Sequence, residues 1–218
     1  QFVETKKMRK IYHALRRLGV SIVKDTPIEY FSRSTHQYLF ARKNRETDQL
    51  TKLVISRSCS SYSNCIDIGA YRGDITRHLV KVACRGRVFA FEPISENCNY
   101  LRKNFPTVEV HDIALSDRAG TVDFFHVIGR PARSGFVQLD YPDSDESVDI
   151  ILVKTDRLDD VLGLNVPIHF MKIDVEGAEL QVVSGASEII TKYKPVIIFE
   201  HGGEHISHNM EYSDKLYD

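Results

Sequence analysis

The chain lacks several things that would have placed it quickly. Its four cysteines, Cys59, Cys65, Cys84 and Cys98, form no C-x-x-C and no metal-finger spacing, so neither a zinc module nor a dithiol redox motif is encoded. Cys65 falls inside an apolar stretch, where a free thiol behaves as a small hydrophobe; this usage points to a reducing compartment. No apolar run approaches the roughly 20 residues of a membrane span, and the N-terminal stretch has no signal-peptide core, so the sequence reads as soluble and cytoplasmic. There is no excess of charge: 29 Lys plus Arg stand against 30 Asp plus Glu, a net −1. No global field draws the protein to nucleic acid or to an anionic membrane. With 218 residues, 42% of them hydrophobic, the chain is sized for one domain burying about 70% of its unfolded surface. It opens on Gln1 rather than Met, as expected of a chain that begins inside a longer protein.

A further absence is chemical. Pyrophosphate-binding dinucleotide folds use G-x-G-x-x-G to set backbone N–H groups and a helix N-terminus against an anion. Residues 63–73, SNCIDIGAYRG, carry Gly69-x-x-x-Gly73 instead, after an apolar strand that runs into Asp67. Asp74 is the expected N-cap, and residues 75–82 have helical apolar spacing. The glycines permit positive φ and let a ligand lie against bare backbone. A carboxylate beside the turn repels phosphate and suits an ammonium group. Glu92 closes the next strand, residues 87–91, at 23 residues past Gly69, where a carboxylate in a doubly wound sheet accepts from ribose hydroxyls. Ammonium, sugar and no phosphate describe S-adenosylmethionine.

Along the chain, residues 7–18 read as a short basic amphipathic helix, with Met8, Ile11, Leu15 and Leu18 on one face. It either docks on the domain or touches a phosphorylated, RNA or membrane partner. Residues 26–45 show no clear period and read as a lid, a substrate wall or a hairpin; residues 46–55 look helical. The division expected is therefore an N-terminal helical or lid segment, 1–57, and a cofactor-binding domain, 58–218. Ser95 is the expected N-cap of a helix to about Asn104, stopped by Pro106. Residues 107–114 read as the third strand, with Asp112 the candidate for the adenine amine or a turn residue. Residues 120–127 and 148–153 are strands around a polar loop, 129–146, which is either a substrate element or a surface insertion. A short helix at 158–162 is closed by Gly163. HFMKID and KPVIIFE are further core strands ending in Asp174 and Glu200. Four acids at strand ends, Asp67, Glu92, Asp174 and Glu200, are expected on one sheet edge.

With CIDIGAYRGD, RVFAFEP, NYLRKN, VHDIALSDRAG, RLDD, MKIDVEGAELQVVSGA and KPVIIFEHG in order, residues 64–203 resemble the FkbM family of S-adenosylmethionine-dependent methyltransferases. The resemblance implies an α/β, Rossmann-like class I fold, a mostly parallel central sheet flanked by helices, and methylation of a hydroxyl on a sugar, glycan or secondary metabolite. It implies a cofactor site of Asp67, Gly69, Ala70, Tyr71, Gly73, Glu92, Pro93, Asp112 and Ala114. Many members carry Asn where this turn has Tyr71. The C-terminal hairpin strands of the fold are missing from this chain, and the last residues, SDKLYD, read as the helix after the fifth parallel strand; another segment or a second copy of the chain is expected over the sheet edge.

An acceptor hydroxyl must lose a proton. Asp174 is read as orienting cofactor and acceptor, with Glu176 or His201 handling the proton; alternatively Glu176 caps the following helix. The run EHGGEHISH invites a metal reading, in which Asp174, Glu200 and His201 would be ligands, but Gly202-Gly203 disfavours a helix that would align its histidines, and no metal is expected. The partner expected is a small-molecule or glycan acceptor. RNA methylation and a non-catalytic Rossmann-like scaffold are the alternatives; stacking aromatics are not clustered with the basic N-terminus, which disfavours RNA.

Overall fold

The computed structural model describes residues 20–23, 40–128, 134–136, 148–175 and 177–200. Its centre is a set of short apolar strands: β1 (Val20–Val23), β2 (Cys65–Ile68), β3 (Val88–Phe91), β4 (Val108–His111), β8 (Phe170–Ile173) and β9 (Val196–Glu200). They form one sheet in the order β1-β9-β8-β2-β3-β4, parallel except for β1. Strands covered by helices on both faces must be apolar throughout rather than alternating, and every residue of β2 and β3 is buried.

The helices α1 (Phe40–Ser58), α2 (Asp74–Val82) and α3 (Ser95–Asn104) lie on one face. Val54, Ile55, Ile75, Leu79 and Leu101 from these helices pack on Cys65, Val88, Ala90, Phe170, Val196 and Ile198. The other face carries α4 (Leu158–Leu162), α5 (Glu179–Gly185) and α6 (Ser187–Tyr193). Leu158, Val182 and Ile189 meet Ile66, Ile68, Phe89, Phe91, Met171, Ile173, Ile197 and Phe199 there. The two sets of strand residues interleave with period two, as the pleat requires. Each fully buried large side chain contributes about 1.5–3 kcal/mol.

The chain winds outward through β2, β3 and β4, then returns across the sheet to β8 and β9. The reversal falls between β2 and β8, and in such sheets the ligand crevice opens outside the carboxyl ends of the two strands at the reversal.

Several boundaries differ from those read in the sequence. The helix expected at 46–55 runs over Phe40–Ser58, because its added turns carry no glycine or proline to break it. The third strand stops at His111, and Ala114–Leu115 forms β5 of a second sheet. The chain leaves the first ladder where Asp112 is clamped by Arg102, and Ala114 and Leu115 find partners on β7 (Val148–Asp156), which pairs antiparallel with β6 (Gly120–Val127). Val122, Phe124, Ile151 and Val153 face Ile94 and Ala114, and Phe136 sits edge-on to Phe124 at 5.7 Å. The sheet edge expected to need a cover is taken by β1, antiparallel to β9 with Val20 opposite Glu200. The expected helix at 7–18, the SDKLYD helix and most of the 129–146 loop lie outside the described residues.

Three of the motif segments, RLDD, ALSD and VVSGA, prove to be packing devices. In RLDD, buried Asp159 accepts the N–H groups of Glu188 and Ile189 at 3.1 and 3.0 Å and pairs with Arg157 at 3.1 Å, so it satisfies orphan donors at the start of α6. ALSD and VVSGA touch at Gly185, where a Cβ would lie 2.0 Å from the Ser116 carbonyl oxygen.

Candidate functional site

Strand register builds the site. Asp67 on β2 stands opposite Ala90 on β3 and Lys172 on β8, and residues paired across parallel strands point to the same face. Lys172 therefore meets the Asp67 carboxylate, Nζ to Oδ1 at 3.7 Å, and reaches up to Asp174 Oδ2 at 2.9 Å. Thr76 of α2 donates its hydroxyl to Asp67 Oδ2 at 2.6 Å. Asp67 is fully buried, and its Oδ1 receives no hydrogen bond from the described residues, since the 3.7 Å to Lys172 is within ion-pair range but too long for one. Burial pushes the Asp67 carboxyl up; the Lys172 charge and the Thr76 hydroxyl oppose it.

The turn after β2 is left-handed at three positions: Gly69 (φ 74), Tyr71 (φ 47) and Gly73 (φ 80). Gly69 and Ala70 donate their N–H groups to the Phe91 carbonyl at 3.0 and 3.2 Å, anchoring the turn to β3. Its glycines are demanded by protein rather than by an approaching ligand. A Cβ on Gly69 would sit 1.8 Å from the Asp174 carbonyl oxygen, and one on Gly73 2.5 Å from the Phe105 ring. The helix N-cap is Gly73, not Asp74, and Ile94, not Ser95, caps α3. In each case the residue expected as cap has slipped into the first turn, where Asp74 still favours the helix dipole.

Tyr71 holds a conformation that Asn tolerates far better than an aromatic residue, and a non-glycine residue there costs of order 1–3 kcal/mol. Tyr71→Asn is expected to stabilise the chain by about 1 kcal/mol, a rise in Tm of about 2–4 °C by calorimetry; an unchanged or lowered Tm would show that the phenol ring's contacts outweigh the backbone strain.

Glu92 follows β3 and is buried. Its Oε2 accepts the Tyr71 N–H at 2.9 Å, and its Oε1 accepts the Ile94 N–H and the Asn97 side-chain amide, both at 3.1 Å. One carboxylate thus ties the turn to the start of α3, with Pro93 between as a half-buried spacer. Burial pushes the Glu92 carboxyl up, against hydrogen bonds from Asn97, Ile94 and Tyr71. Asp112 lies beyond β4 and is held by the Arg102 guanidinium through both oxygens. Burial raises its carboxyl, but the Arg102 fork and the Cys98 thiol hold it below the usual range. Ala114 is buried in the second-sheet core.

Asp174, with 32% of its side chain exposed, stands at the crevice mouth. Glu200 occupies the register row beside it, one residue beyond Phe199, which pairs with Ile173. Glu176, His201 and the Glu200 side chain lie outside the described residues.

The structure thus gathers Asp67, the 69–73 turn, Glu92 and Asp174 at one end of the sheet and engages Asp112 with Arg102. Three contributors escaped the sequence reading. Lys172 is the charged residue in an otherwise apolar strand, FMKI, a signal as plain as Asp67 in CIDI. Thr76 sits in α2 at the position facing β2, which helical periodicity alone does not mark as polar. Asp48 comes from α1; burial raises its carboxyl, and the charges of Lys52, Lys172, Asp74 and Asp174 all act on it. Nothing local in the sequence announces that proximity.

The chain is similar to several known proteins. The chain is 27% identical over 146 residues to the 2-O-methyltransferase NoeI of Sinorhizobium fredii, an alignment covering 58% of each protein. The chain therefore spans just over half the length of that relative. Solved structures it resembles include a precorrin-6y C5,15-methyltransferase from Geobacter metallireducens, with a TM-score of 0.43 and 16% identity over 84% of this chain and 75% of that one. The plantazolicin methyltransferase BpumL, solved in complex with SAH, gives a TM-score of 0.39 and 11% identity over 98% of this chain and 62% of that one. The family model of the methyltransferase FkbM domain matches residues 67–217, from the first acid of the site through the last core strand and beyond, and the chain belongs to that family.

Proposed function

We propose that this chain binds S-adenosylmethionine in the crevice between β2 and β8 and transfers its methyl group to a hydroxyl oxygen of a sugar, glycan or secondary metabolite. The observation that carries the reading is the pair of buried carboxylates on adjacent strand ends, Asp67 and Glu92, coupled through the left-handed turn. The residues fit the cofactor. Asp67 Oδ1 lacks a hydrogen-bond donor among the described residues. Glu92 has three donors for about four lone-pair sites, which leaves acceptor capacity for ribose. The family and the name of the 2-O-methyltransferase relative support an oxygen acceptor.

When bound, the cofactor supplies a methyl group already activated on sulfonium. The chain's own residues have the remaining work of alignment and proton removal. Asp67 balances positive charge beneath the turn, Glu92 with Pro93 holds the sugar, and Ala114 and Asp112 border the adenine side. Asp174 orients the acceptor, and Glu176 or His201 takes the hydroxyl proton as the oxygen attacks.

Calorimetric titration of S-adenosylmethionine into the wild-type chain and Asp67→Asn tests this. Micromolar binding is expected in the wild type, weakened at least about tenfold in the variant at unchanged Tm. A folded wild-type chain that releases no heat of binding overturns the reading.

A further inference from the structure

Building on the cofactor reading above, we infer that Lys172 is a positioning residue for the methionine end of the cofactor: it ties the buried Asp67 to the crevice-facing Asp174 across the switch point. The cross-strand row that contains it reads Ala90, Asp67, Lys172, Ile198 over β3, β2, β8 and β9. Its outer members are apolar, and the row packs under α1 and α2 with the core. A row that served folding alone would be apolar throughout, because replacing a buried ion pair by hydrophobic residues of similar size is often neutral or stabilising. Lysine is also among the residues least often buried without a partner, yet only 12% of this side chain is exposed.

The contacts with Asp174 and Asp67, two among those that Lys172 makes, are unequal in a telling way. The 2.9 Å bond goes to Asp174, at the mouth, whereas the 3.7 Å approach goes to Asp67, behind the turn. Asp174 therefore has its orientation set from beneath, by a cation that the buried acid holds in place. The Gly69 turn closes the arrangement, since its backbone lies against the Asp174 carbonyl. Among the described residues, the groups that act on this pair or on Asp174 are Thr76 on α2, Asp48 on α1 and Glu92 after β3, with Lys52 and Asp74 in turn acting on Asp48. Acids outnumber cations there, and the expected ligand carries a sulfonium and an ammonium against one carboxylate, so placement of the acids governs affinity.

Lys172→Met keeps the stem and removes the charge. Its affinity for S-adenosylmethionine is expected to fall at least about tenfold at neutral pH. That affinity is expected to rise with pH more steeply than that of the wild type, because burial pushes the Asp67 carboxyl up and the Lys172 charge that opposes this is gone. A purely structural lysine would not create this dependence, and adding Asp67→Asn to the variant should abolish it. A folded Lys172→Met chain with the wild-type affinity and pH profile overturns the inference. If Lys172→Met does not fold, the Asp67→Asn/Lys172→Met double variant, which removes both charges of the Asp67–Lys172 pair together, carries the test. Affinity below that of Asp67→Asn alone supports the role, and equal affinity overturns it. A wild-type chain that binds no cofactor overturns the cofactor reading itself, an outcome distinct from both.

Discussion

Gly69→Ala is expected to unfold the chain or to drive β2 and β8 apart at the crevice. A methyl group at that position would lie 1.8 Å from the Asp174 carbonyl oxygen and 2.9 Å from its carbonyl carbon. Both are backbone atoms held by the ladder, since Asp174 donates its N–H to the Ile68 carbonyl at 3.0 Å. Relief therefore requires moving a strand. The positive φ adds its own penalty of order 1–2 kcal/mol, and the sum is expected to exceed about 4 kcal/mol, the range reserved for broken cores. Gly163→Ala is the control. Gly163 also has positive φ, 64°, but nothing lies within 4 Å of its would-be Cβ, so that change is expected to cost about 1–3 kcal/mol and to leave cofactor binding intact. Denaturant melts and cofactor titration of both variants check this; similar losses in the two would mean that the Asp174 contact relaxes easily.

Glu92→Gln is expected to weaken S-adenosylmethionine binding by about 100-fold or more, at about 1.5–3 kcal/mol for each hydrogen bond to a charged acceptor. Isosteric though it is, the change cannot be accommodated. Both carboxylate oxygens accept from backbone N–H groups, Tyr71 on one and Ile94 on the other, so the new amide must point a donor at a donor. The turn and the ribose acceptor fail together. Retained affinity in calorimetry would remove Glu92 from the site. The same group predicts opposite trends with acid. Burial sets the Glu92 and Asp67 carboxyls higher in the folded chain than in the unfolded one. As pH falls through their folded values toward the ordinary carboxylate range, these two groups favour the folded state. Cofactor affinity falls over the same window, because a protonated Glu92 loses an acceptor. Asp112, held low by Arg102, contributes stability that is lost only as pH falls below the ordinary aspartate range, through its lower folded value. Binding is thus expected to decline with acid before Tm does, as paired titrations and melts would show.

Most of the sheet was legible because buried parallel strands leave a dense local signature: four-residue apolar runs, an acid, a breaker. CIDI, VFAF and FMKI are each recovered within a residue or two. The site acids were legible for the same reason, a charge where the pattern demands none. The N-caps of α2 and α3 were not, since Gly73 and Ile94 take that position through backbone geometry rather than side-chain chemistry, whereas the Gly163 cap of α4 was read from its glycine. Nor was the break after His111, which depends on Arg102 reaching Asp112 from another helix.

The sequence by itself determined the α/β class, the strand ends where the acids lie, and the need for glycine at 69 and 73. Those follow from periodicity and from the few residues that break it. Only the tertiary structure decided what the glycines are for, that β1 borders β9, that Thr76 and Lys172 converge on Asp67, and that Asp48 lies within electrostatic reach of Lys172 and Asp174. Each of these depends on which strands are neighbours and in what register, and register is a property of the assembled sheet: Asp67 and Lys172 are 105 residues apart in the chain and directly paired across one ladder.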